Sequence, residues 1–64
     1  RDLSDREVQV LTHAALGHTN KVIAYELGLA ASTVRVLMHR AGKKLGAATR
    51  DDAIERFKAV TQAT

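Results

Sequence analysis

A chain of 64 residues with a net charge of +3 makes one small domain, and a chain of this size buries only about 60% of the surface its unfolded form exposes, so its stability margin is narrow. It contains no cysteine, which excludes disulfides and thiolate zinc sites. Its only aromatic side chains are Tyr25 and Phe57, too few for the stacking platforms of single-strand nucleic-acid binders.

Proline is absent and the apolar residues recur with helical period, which predicts an all-α domain of four helices containing a helix-turn-helix. Ser4-Asp5-Arg6-Glu7 has the form of a capping box, with Leu3 and Val8 placed as a hydrophobic staple, and starts a first helix from Asp5 to Leu16. Val10, Leu11, Ala14 and Ala15 share its buried face, and Gly17 suits the left-handed position that ends it. Thr19 caps a short second helix, Asn20 to Leu27, in which Ile23, Ala24 and Leu27 face the core and Gly28 closes the end. Lys21 lies in its first turn, where a cation opposes the helix dipole; it is either a solvated lysine or the ligand of a phosphate docked on that end.

Gly28-Leu29-Ala30-Ala31 is a turn short enough to join two helices at a steep angle, with Leu29 filling the corner. The third helix runs from Ala31 to Leu45 and stops at Gly46. At about 100° per residue it puts Val34, Leu37, Met38, Ala41 and Leu45 underneath and Ser32, Arg35, Val36, His39, Arg40 and Lys43 outward. Residues 35–50 carry Arg35, Arg40, Lys43, Lys44 and Arg50 with no Asp or Glu, so the positive charge of the chain comes from this one stretch. A cationic ridge on a helix with an apolar underside is the expected form of an element that enters a nucleic-acid groove. Thr49 then caps a fourth helix, residues 50–62, with Ala53, Ile54, Phe57 and Val60 along one face.

Taken together, Leu3-Ser4-x-Arg6-Glu7 with Val10-Leu11, Gly17, Asn20-Lys21-x-Ile23-Ala24 with Leu27-Gly28-Leu29, Ser32-Thr33-Val34-Arg35-Val36, Lys43-Lys44-Leu45-Gly46 and Thr49-Arg50 with Ala53 carry a resemblance. In this order and spacing the chain resembles the DNA-binding domain of LuxR/FixJ-type (GerE-like) transcriptional regulators over nearly all its length. The resemblance implies a domain whose third helix enters the major groove and whose fourth pairs two copies across a two-fold axis. By position it makes Arg35, Val36 and His39 the base-edge readers. It also puts Lys21, Thr33 and Lys43 at or near phosphate contacts, with Asn20 in the same corner. Such domains sit at the C-terminus of longer regulators, behind a phospho-receiver of a two-component response regulator or a small-molecule sensor such as those of quorum sensing. Four positions depart from the pattern: Ala30 replaces a Ser or Thr cap, leaving Ser32 as an alternative cap; Val22 replaces an acid; Leu37 replaces a His; and Gly42 stands inside the third helix.

These residue types suit the task. A guanidinium at Arg35 can bond guanine O6 and N7 together, and Val36 can meet a thymine methyl. His39 faces a base, a phosphate or solvent. Arg40, Lys43 and Lys44 are expected on phosphates, with Ser32 and Thr33 offering hydroxyls. Ala53, Ala59 and Val60 border the expected dimer contact. Double-stranded DNA is therefore the expected partner, bound by a homodimer, with RNA polymerase a further candidate. Two rival readings are a sigma-factor region four domain, which would end near the recognition helix, and a basic helical module that docks an acidic protein. No paired carboxylates, nucleophile motif or phosphate loop suggests an enzyme. His13, His18 and His39 lack metal-ligand spacing, so neither metal nor cofactor is expected. No apolar run approaches the roughly 18 residues of a membrane span, and no signal-peptide pattern is visible, so the expected location is the cytoplasm.

Overall fold

Three of the four helices begin at a side chain that satisfies a free first-turn amide. In the computed structural model, which describes residues 2–61, α1 spans Asp5–Ala15, α2 Asn20–Leu27, α3 Ala31–Lys44 and α4 Arg50–Thr61, with no strand among the described residues. The expected last residue of α4, Gln62, lies outside them.

The Ser4 Oγ accepts from the Glu7 amide at 3.1 Å and the Ser4 amide donates to Glu7 Oε1 at 2.8 Å, which completes the capping box. Thr19 Oγ1 accepts from the Val22 amide at 3.2 Å, and Thr49 Oγ1 from the Asp52 amide at 3.0 Å. Only α3 starts without such help. Its cap is Ala30, with extended backbone and no side-chain hydrogen bond, and Ser32 does not take over, because the helix has already begun at Ala31. Both α1 and α3 end one residue short of the sequence expectation. Leu16 and Leu45 are the C-caps, their amides still bonded to the Thr12 and Ala41 carbonyls, ahead of Gly17 at φ +91° and Gly46 at φ +71°.

Helices α1 and α3 each pack on the other three, whereas α2 and α4 share no packed face and meet only through side-chain hydrogen bonds where they begin. The core comprises Val10, Leu11 and Ala14 of α1, Ile23 and Ala24 of α2, Val34, Met38 and Ala41 of α3, and Ala53, Ile54 and Phe57 of α4. Leu11, Ile23, Val10 and Val34 are its largest fully buried side chains; each contributes about 1.5–3 kcal/mol relative to exposure. Leu29 is half-buried in the corner between α2 and α3, as its place in the turn predicts, and its amide donates to the Ala24 carbonyl at 2.8 Å. Leu3 also packs on the core, but Val8 stays 38% exposed.

A polar clamp adds to this packing. Lys44 Nζ donates to Glu7 Oε1 at 2.9 Å and to the Asp2 carbonyl at 3.2 Å, joining the end of α3 to the start of α1. Glu7 is only 3% exposed. Its charge is sustained by the Lys44 ammonium first and the Ser4 amide second, which together hold the carboxyl below its usual 4.5 against the opposing effect of burial. Lys44, expected on a phosphate, is therefore committed to the fold: its side chain reaches back to α1 and not toward the ridge.

Candidate nucleic-acid interface

The site is built on α3. Val34, Met38 and Ala41 are buried and Leu37 half-buried, which fixes the rotation of the helix about its axis. Ser32, Thr33, Arg35, Val36, His39, Arg40 and Lys43 are all exposed on the remaining surface. Val36, a branched apolar side chain, keeps 47% of its surface in solvent. No ion pair neutralises Arg35, Arg40 or Lys43 among the described residues. The expected underside and outward side of α3 are thus the ones the packing produces.

Beside this ridge runs a groove of about 490 Å³, bounded by α3, the α3–α4 loop, the start of α4 and the start of α2. Met38, Gly42 and Ala53 form its apolar part; Arg35, His39, Lys43, Asn20 and Arg50 supply its polar rim, and no carboxylate lines it. Gly42 is buried where α3 meets α4, and a Cβ on it would stand 3.7 Å from the Ala53 Cβ. The glycine thus sits at a close helix crossing, and α3 continues past it to Lys44.

At the start of α2, Lys21 is exposed and Asn20 half-buried. The Asn20 Oδ1 accepts from Arg50 Nε at 3.3 Å and from Arg50 Nη2 at 3.1 Å, and the same Nη2 donates to the His18 carbonyl at 3.1 Å. Sequence reasoning placed Arg50 in the basic stretch and in the Thr49-Arg50 motif but gave it no contact of its own. A signal was present, since Arg50, like Lys21, is a cation in the first turn of a helix.

On α4, Ala59 and Val60 are exposed, Val60 at 63%, whereas Ala53 is 1% exposed. Ala53 therefore does not border an outer contact as expected; its methyl faces Gly42 in the core. No helix among the described residues is long and apolar enough to cross a membrane.

The family model of bacterial regulatory proteins, luxR family (GerE), matches residues 1–57. The chain belongs to the luxR family of bacterial regulatory proteins. This luxR-family domain is 43% identical over 58 residues to the HTH-type transcriptional activator RamA of Corynebacterium glutamicum, an alignment that covers 91% of the chain and 21% of RamA. The chain thus spans about a fifth of the length of that relative. No solved structure matches it. The sigma-factor alternative gives way to the luxR family, in keeping with a fourth helix packed on the core by Ala53, Ile54 and Phe57.

Proposed function

We propose that this luxR-family domain binds double-stranded DNA in a sequence-selective way and acts in transcription regulation, with α3 seated in the major groove. The observation that carries this reading is the joint exposure of Arg35, Val36, His39 and Lys43 on one side of a helix whose other side is buried. Arg35 and Val36 would meet base edges, as guanidinium and methyl groups do with guanine and thymine, and His39 would follow one turn on. Arg40 and Lys43 on α3, Ser32 and Thr33 in its first turn, and Lys21 and Asn20 at the start of α2 would meet phosphates and set register. Asn20 has its oxygen engaged by Arg50 and offers its amide nitrogen.

A two-fold pairing through the outer face of α4, at Ala59 and Val60, would place two recognition helices on half-sites about 10 bp apart. The name of the Corynebacterium relative supports a role in transcription, with RNA polymerase as a further partner and a sensor or receiver domain in a longer protein as the source of control.

Selection of bound duplexes from a random pool, followed by binding of the Arg35→Ala variant, tests the reading. The expected result is a defined sequence with two related half-sites, and a variant that loses preference among duplexes by about 1–3 kcal/mol while retaining non-specific binding. Binding without any sequence preference would favour the docking of an acidic protein instead.

A further inference from the structure

We propose that Arg50 anchors a phosphate of the DNA backbone in the groove between α3 and α4, an inference that rests on the reading of the domain as a duplex binder.

Four observations lead there. Arg50 is half-buried, yet its hydrogen bonds go only to the uncharged Asn20 Oδ1 and His18 carbonyl. No carboxylate pairs with it among the described residues, although Asp51 and Asp52 follow directly; Asp52 accepts from Arg56 at 3.1 Å and from the Ala48 amide at 3.2 Å instead. The guanidinium is thus held in one orientation by neutral acceptors and keeps its full charge, while its Nη1 has no protein partner among the described residues.

The second observation is position. Arg50 is the first residue of α4, where a cation opposes the helix dipole. Nothing in the helix itself favours arginine there, and an anion would reverse the sign. Third, the groove that Arg50 shares with Arg35, His39 and Lys43 has no acid on its walls, so it concentrates positive potential. Fourth, the groove adjoins the ridge on one side and the start of α2 on the other. Once α3 docks, the anion delivered to that place is the sugar-phosphate strand along the edge of the major groove. In this arrangement Asn20 is a positioning residue: it orients the guanidinium that grips the strand.

The test compares the chain with its Arg50→Gln, Arg50→Lys and Asn20→Ala variants, on a selected duplex and on an unrelated one, across a salt series and with melting curves in parallel. Arg50→Gln is expected to lower the slope of log K against log salt by about 1 on both duplexes, with a several-fold loss of affinity. Arg50→Lys and Asn20→Ala keep the charge and are expected to keep the slope. In ethylation interference, one phosphate per half-site should become insensitive in Arg50→Gln.

An unchanged slope and interference pattern in Arg50→Gln overturns the proposal, whether or not the variant melts earlier, because a tether that serves only the fold predicts that result. Should Arg50→Gln not fold, the wild-type Arg50 Nε–H resonance decides: it shifts on addition of duplex if the guanidinium takes a phosphate, and a fixed resonance in the presence of bound DNA overturns the assignment. A wild-type chain that binds no duplex removes both this proposal and the reading beneath it.

Discussion

Gly42 is the position where local propensity and packing disagree. A glycine inside a helix costs about 1 kcal/mol relative to alanine, and the space beside it would accept a methyl group, since a Cβ there meets Ala53 at ordinary contact distance. Gly42→Ala is therefore expected to stabilise the domain by up to about 1 kcal/mol, visible as a melting temperature about 4–8 °C higher. A lower melting temperature would mean that α3 and α4 cannot accept the methyl group. At the same scale, the outward direction of Arg35, Val36, His39 and Lys43 was legible from period alone, because the apolar residues beneath them leave one rotation of the helix. Ala53 was not. Alanine is small and tolerated on either side, so its place in the stripe with Ile54 and Phe57 did not separate core from surface. Val60 continues that stripe in sequence yet is 63% exposed.

Among the elements, helix boundaries were the most legible feature, since capping boxes, hydroxyl caps and closing glycines act within four residues of one another. The Glu7–Lys44 link between α1 and α3 shows where that reach ends: 37 residues separate the partners, and Glu7 had already been explained by its cap. Its contribution depends on pH. Because the folded carboxyl is held below 4.5, the unfolded chain takes up the proton first, so the stability due to the clamp is full above about 4.5 and is lost as pH falls through the lowered value. Lys44→Met is expected to destabilise the domain by about 1–3 kcal/mol at pH 7, toward the lower figure because the lysine side chain is 31% exposed and partly screened. Urea midpoints of wild type and variant should converge on acidification. A gap that stays constant with pH would assign the effect to packing of the lysine stem alone.

At the level of the whole molecule, the fold class and the order of the helices followed from the sequence, and the charge map followed with them: one cationic stretch on a chain otherwise slightly acidic. Hidden from that reading was the manner in which the start of α4 meets the start of α2. Arg50 and Asn20 are 30 residues apart, and a long side chain that reaches a distant amide leaves no periodic trace.

The two outer helices, α2 and α4, each lean on α1 and α3 but share no packed face with each other. Their energetics should consequently separate. A double-mutant cycle between Lys21 and Val60 is expected to be additive within about 0.3–0.5 kcal/mol, whereas one between Asn20 and Arg50 should show a coupling of about 0.5–3 kcal/mol. Substitutions that alter how the domain grips its partner through α2 can then be combined freely with substitutions on the outer surface of α4, provided that the single cross-connection is left intact. A large coupling between Lys21 and Val60 would show that the shared α1–α3 support transmits strain from one flank to the other.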